Sequence, residues 1–202
     1  YETAVLRVQE LQPQITPKLK LRIQPPYFQD PGYIRALVGS AEEELKQGYD
    51  HLLFSFHGIP ERHLRKSDPT GKHCLSRPDC CECDSPAIAT CYRAQCFKTV
   101  AAFVKQAGVT KYSVSFQSRL GRDPWLKPYS DHEIERFARA GVKRMLVMCP
   151  AFVSDCLETL EEIAVRGQQT FASHGGLQLQ MIPAVNAHPL WVEGLAEMIR
   201  QV

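Results

Sequence analysis

Apolar and polar positions along this chain predict helix and strand by turns. Residues 2–12, ETAVLRVQELQ, place Ala4, Val5, Val8 and Leu11 at the spacing of one helical face. Pro13 is expected to end that helix. Leu19 to Ile23 alternates apolar with basic residues, which predicts a strand closed by Pro25-Pro26. Asp30 and Pro31 then read as the N-cap and first-turn proline of a helix reaching about Gln47. His51 to Phe56 is almost continuously apolar, the pattern of a parallel strand covered on both faces. Gly58 and Pro60 close it. The segment 59–90 has no periodicity. Helical spacing returns from about Cys91 to Gln106. Lys111 to Phe116 reads as a strand, Asp131 to Ala140 as a helix capped by Gly141, and Arg144 to Met148 as a strand broken at Pro150. Ser154 to Val165 follows as a helix, Leu177 to Ile182 as a strand, and His188 to Gln201 as a final helix with Pro189 at its start.

Strand and helix thus alternate about five times, which argues an α/β fold: a parallel sheet with helices on both faces. Such sheets bind ligands outside their carboxyl edge. His57 stands there, at the end of the His51–Phe56 run. It either closes the strand with a loop hydrogen bond or faces a ligand. The chain has 202 residues, 44% of them hydrophobic, enough for one large domain or two small ones. A net charge of +2 gives no basic field for nucleic acid. No apolar run reaches the length of a transmembrane helix, and no signal peptide opens the chain. No GxGxxG follows a strand, so nucleotide binding has no support. Tyr1 in place of methionine indicates processing or a fragment.

Two constellations carry chemistry. Asp155, Glu158 and Glu162 are spaced by three and four, which puts them on one helical face. Leu157, Leu160 and Ala164 are expected opposite them, packed on the sheet. A neutral imidazole facing carboxylates suits a divalent cation or a proton relay. The same acids also fit a capping box, Asp155-x-x-Glu158, or a solvated face. The second constellation is cysteine-rich. Six of the eight cysteines lie between Cys74 and Cys96, and the others are Cys149 and Cys156. Cys80, Cys81 and Cys83 make close pairs without a clean pair of CxxC motifs. A long polar loop needs something to order it, and four thiolates hold a [2Fe–2S] cluster or zinc. With only His73 nearby, an all-cysteine site is favoured. Cys96 falls inside a periodic helix and reads as core. The loop QSRLGRDPWLKPYS, with Gln117, Ser118, Arg119 and Trp125, is expected to form a pocket wall. Trp125 either packs or meets an apolar ligand.

SFHGIPERH, SFQSRLGRDPWLKPYS, CPAFVSDCLETLEEI and IPAVNAHPLW, in this order and at these separations, resemble the ferrochelatases from about Lys20 to the end. The resemblance implies a chelatase fold of two Rossmann-like halves. The chain looks like the C-terminal portion. Residues 1–18 would be a helix remnant of the preceding half. Residues 19–187 would be the chelatase domain, with a cysteine-rich insertion at about 66–91, and 188–202 a closing helix. The implied activity is a lyase that inserts ferrous iron into a porphyrin, protoporphyrin IX or coproporphyrin, to form haem. His57 matches the family's pocket histidine, and Glu158 matches the acid of its SDxxETLxE signature. Asp155 and Glu162 match acids of the metal or proton path, so His57, Asp155, Glu158 and Glu162 are the candidate iron-path residues. Cys156 stands where many members carry histidine. Trp125 is expected against the macrocycle. Some bacterial members carry a [2Fe–2S] cluster on such an insertion. That implies Cys74, Cys80, Cys81 and Cys91 as ligands here, with Cys83 as the substitute. A cytoplasmic location is implied, with peripheral membrane contact open and oligomeric state unspecified. Two other readings remain open: a chelatase-fold relative for another tetrapyrrole or metal, and a non-enzymatic iron–sulfur redox or sensing module.

Overall fold

The computed structural model describes residues 2–15 and 21–201. Four strands form one sheet: β1 (His51–His57), β2 (Tyr112–Gln117), β3 (Arg144–Met148) and β4 (Gln178–Met181). Their spatial order is β2-β1-β3-β4, and every pairing is parallel. Helix α1 (Glu2–Ile15) precedes α2 (Pro31–Lys46). Between β1 and β2 run α3 (Glu61–Ser67), two short 3₁₀ turns (Cys80–Glu82 and Pro86–Ala89) and α4 (Tyr92–Ala107). Helix α5 (Ser130–Arg139) joins β2 to β3. The β3–β4 crossover opens as α6 (Leu157–Thr159), winds as a π-helix over Leu160–Gly167, and returns to α-helix as α7 (Gln168–Ser173). Helix α8 (Pro189–Gln201) ends the described chain.

Strand alternation explains the two covered faces. Leu52, Phe54 and Phe56 of β1 join Leu146 and Met148 of β3 in one core with α2, α4 and α8. Leu53, Met145 and Val147 point the other way, into a second core with α5, the π-helix and α7. A fully buried leucine or phenylalanine contributes about 1.5–3 kcal/mol relative to exposure, so β1 cannot leave either core cheaply. Asp30 caps α2 as its sequence suggests, accepting from the Gly32 and Tyr33 amides at 2.8 and 3.1 Å. Helices α2 and α8 cross so closely that a Cβ on Gly32 would lie 2.8 Å from the Gly194 Cα.

Chain order sets the site. From β1 the chain moves to β2 on one side, then over β1 to β3 on the other. The carboxyl ends of β1 and β3 therefore flank the point where strand order reverses, the place where such sheets open a crevice. His57 ends β1 and the Pro150–Leu157 loop leaves β3 at that point.

The structure corrects several expectations. Pro13 lies inside α1, which runs on to Ile15. Residues 21–23 are not a strand, and Leu21 and Ile23 are exposed. Among the described residues no strand pairs with them; Leu19 and Lys20 lie outside the described residues. The segment 59–90 contains a helix, α3, that periodicity could not reveal because Leu64 is its one buried side chain. The helix expected over Ser154 to Val165 begins only at Leu157, so Asp155 precedes it. Leu157 and Leu160 do not pack on the sheet: they are 75% and 49% exposed. Bonding of i→i+5 type takes more residues per turn, so positions four apart fall in line. Thr159, Ile163 and Gly167 accordingly form the buried stripe.

Candidate active site

His57 is half-buried at the carboxyl end of β1. Its Nδ1 lies 2.6 Å from the Gly58 carbonyl oxygen, which can only accept, so Nδ1 carries the hydrogen. The Nε2 lone pair is thereby left for a ligand or a proton. Phe152 and Trp125 flank the ring, at centroid distances of 5.9 and 6.4 Å. Trp125 is fixed by donation from its Nε1 to the Leu120 carbonyl at 2.9 Å. Its loop is pinned to the stretch after His57, with Leu126 N to Ile59 O at 3.1 Å and Glu61 N to Pro124 O at 2.9 Å. Gly58 is required here. A Cβ would stand 2.9 Å from the Gln117 carbonyl oxygen and 3.3 Å from Trp125 Cε3.

Glu158 sits on α6, in its exposed first turn. Its carboxyl is held below the usual range, first by its own backbone N–H, then by the Cys156 thiol and by His57. Glu162 follows one turn later and accepts from Ser118 Oγ at 2.8 Å. Asp155 has a different setting. One carboxylate oxygen accepts from the Ala184 amide at 3.1 Å and the other from Asn186 Nδ2 at 2.8 Å. Asn186 Oδ1 in turn accepts from the Asp155 backbone amide at 3.0 Å. Asp155 thus ties the β3 loop to the β4 loop, and it does not share the helical face of Glu158 and Glu162. The capping box also falls one residue later than Asp155-x-x-Glu158: Cys156 is the N-cap, and Thr159 Oγ1 accepts from its amide at 3.1 Å.

Gln117 is almost fully buried beneath this edge. Its amide nitrogen donates to the Glu158 carbonyl at 3.1 Å. Its oxygen accepts from Ser55 Oγ at 2.7 Å, and Ser55 shares a further hydroxyl contact with Ser130. Arg119 is held by both Asp131 carboxylate oxygens, at 2.6 and 2.9 Å, over the Tyr129 ring. Gln117, Ser118, Arg119, Asp131, Glu162 and Arg166 line a polar cavity of about 390 Å³ beside the π-helix. Gln117, Ser118 and Arg119 therefore face this cavity, while Trp125 stands beside His57.

The cysteine segment is ordered by Asp68. Its carboxylate accepts from the amides of Thr70, His73 and Cys74 at 2.7–2.8 Å, which keeps its pKa low. The D-P-T-G sequence is a turn signal that could have revealed this role. The thiols of Cys74, Cys80, Cys81 and Cys91 lie near one another at the N-terminus of α4. The pKa of Cys91 is lowered to about 6, first by the Cys81 thiol and then by the Ala94 amide, the Cys74 thiol and the Arg93 amide. Burial pushes Cys74 up to about 12. Arg93 Nη1 lies 3.7 and 3.6 Å from the sulfurs of Cys80 and Cys81. Cys83 lies apart, against Arg77 and the Asp79 carbonyl. Among the described residues, no group of three or more His, Cys, Asp or Glu side chains is arranged to hold a metal ion as it stands.

The ferrochelatase family model matches residues 2–202. The chain belongs to the ferrochelatase family. Ferrochelatase from Stutzerimonas stutzeri (strain A1501) is 54% identical over 183 residues, covering 89% of this chain and 54% of that protein. Ferrochelatase from Azotobacter vinelandii (strain DJ / ATCC BAA-1303) is 52% identical over 185 residues, 90% of this chain and 55% of its own length. Ferrochelatase from Opitutus terrae (strain DSM 11246 / JCM 15787 / PB90-1) is 49% identical over 202 residues, 99% of this chain and 59% of its own. The chain spans about half the length of the curated relatives it matches. Within the ferrochelatase family, then, it carries the parallel sheet whose switch point holds His57 and Glu158. Among the described residues no helix is long and apolar enough to cross a membrane.

Proposed function

We propose that the full-length protein inserts ferrous iron into a porphyrin to form haem, and that this chain supplies one side of the site. The observation that carries the reading is the place of His57 at the carboxyl end of β1, its Nδ1 2.6 Å from the Gly58 carbonyl oxygen, with the Glu158 carboxyl near enough for the imidazole to help lower its pKa. Insertion releases the two pyrrole protons as iron takes their place on the ring nitrogens. A neutral imidazole lone pair accepts such a proton, and Glu158 and Glu162 are carboxylates that bind the incoming cation or carry protons toward the polar cavity. Trp125 and Phe152 offer apolar surface to the macrocycle. Asp155 acts by holding the loop that presents Glu158.

The donor set at the N-terminus of α4 suits a [2Fe–2S] cluster, held by Cys74, Cys80, Cys81 and Cys91. Four thiols lie near one another there, the pKa of Cys91 is lowered, and Arg93 offsets negative charge. Bound, it would supply a redox-active or structural centre. All eight cysteines are free thiols, in keeping with a reducing compartment such as the cytoplasm.

Two experiments test this. Glu158→Gln in the full-length protein should lower the rate of anaerobic ferrous iron insertion by about 10²–10⁴-fold; a rate within twofold of wild type would reject the role. Anaerobically purified protein should be coloured and contain equal iron and acid-labile sulfide. A colourless, zinc-containing sample would reject the cluster.

A further inference from the structure

Tyr92 connects the thiol site to His57. It is the first residue of α4, and Cys91 is that helix's N-cap. Its hydroxyl donates to the His57 carbonyl at 2.8 Å. Cys96, one turn further on, is buried beside the same phenol and helps raise its pKa, after burial itself. The peptide between His57 and Gly58 is therefore clamped at both ends. Tyr92 holds its carbonyl, and the Gln117 carbonyl accepts its N–H at 2.8 Å. The next carbonyl, that of Gly58, receives the His57 Nδ1 hydrogen. The orientation of this one peptide thus sets where the imidazole points and which nitrogen is free. Residue 58 is glycine, with little resistance of its own to backbone rotation.

The other end of the link is the thiol site. Cys91 is the N-cap residue of α4: its N–H donates to the Ala87 carbonyl at 2.9 Å and its carbonyl accepts from the Gln95 amide at 3.0 Å, and its buried thiol interacts with those of Cys74 and Cys81. Whatever fixes Cys91 fixes the start of α4, and so the Tyr92 hydroxyl.

We propose that Tyr92 is a positioning residue for His57, and that it carries the state of the thiol site to the porphyrin-facing edge. This rests on the reading of His57 given above. Tyr92→Phe removes one hydroxyl and keeps the ring. In the full-length protein it should lower kcat for iron insertion about tenfold, with porphyrin KM changed less than twofold and Tm near wild type. It should also shift or broaden the His57 Nδ1–H signal in ¹⁵N-histidine spectra, assigned with His57→Ala. In a His57→Ala background the same change should cost nothing further. Failure of His57→Ala to lower activity would overturn the functional reading. An unmoved His57 signal, unchanged kcat, or a full tenfold loss in the His57→Ala background would overturn the positioning role alone. For the second part, Cys91→Ser should move the His57 signal in wild type but not in Tyr92→Phe; equal movement in both, or none, would overturn it. If Cys91→Ser does not fold, Cys74→Ser, which removes a partner of Cys91, serves for the same comparison.

Discussion

Replacing Gln117 with methionine tests how the sheet holds the helix that bears Glu158. Methionine keeps the length and nearly the volume of the side chain but neither donates nor accepts strongly. Ser55 loses the Gln117 oxygen and keeps Ser130 at 2.7 Å, so that side costs one neutral hydrogen bond, about 1 kcal/mol. The Glu158 carbonyl loses its donor at a part-buried contact, a cost of about 1–3 kcal/mol for an unsatisfied group. Together the variant should be destabilised by roughly 2–4 kcal/mol, read as a lower urea midpoint at unchanged m-value. The effect on turnover follows from geometry. A first turn released by about 1 Å displaces the carboxylate, and such a shift costs about 10²-fold in rate. Urea unfolding and anaerobic iron insertion by the full-length protein measure the two effects separately. A stability loss below about 1 kcal/mol with unchanged turnover would refute the reasoning, because the amide would then not be holding Glu158.

Further outcomes are expected elsewhere. Gly58→Ala should cost about 1–3 kcal/mol by overpacking against the Gln117 carbonyl and Trp125, measured by denaturant unfolding. His51 is stacked 4.0 Å from Phe137 and its pKa is lowered, chiefly by burial. The unfolded chain therefore takes up a proton first as pH falls, so stability present above its ordinary value of 6.5 is lost below it. In His51→Gln that part of the acid loss should vanish from melting curves taken as pH falls through 6.5. Asp68→Asn should loosen the 68–74 turn and raise the number of thiols that react rapidly with Ellman's reagent; an unchanged count would show that Asp68 does not order the thiol segment.

The sheet is legible in the sequence because its strands are buried on both faces. Apolar runs placed all four within about two residues of their observed ends, and the β1 run delivered His57 to the correct edge. Patterns that depend on a neighbour misled. The alternation at Leu19 to Ile23 looks like a strand, yet Leu21 and Ile23 are exposed with no strand beside them. Helix α3 left no trace because it buries one residue. The acid stripe rests on α-helical spacing, whereas the crossover starts at Leu157 and widens into a π-helix, which removes Asp155 from the stripe and exposes Leu157 and Leu160. The long-range hydrogen bonds of the site, Gln117 to Glu158 and Tyr92 to His57, join residues 41 and 35 apart and have no local signature. Spacing alone also left the thiol partners open. Folding through the Asp68 turn and the α4 N-terminus separates Cys83 from the other four.

His57 is the residue on which the account turns, and its removal is the most direct test. In the full-length protein, His57→Ala should retain wild-type unfolding while the initial rate of anaerobic ferrous iron insertion falls by at least about 10²-fold, as expected for loss of a positioned proton acceptor. A folded His57→Ala protein that metallates porphyrin within twofold of the wild-type rate would contradict it.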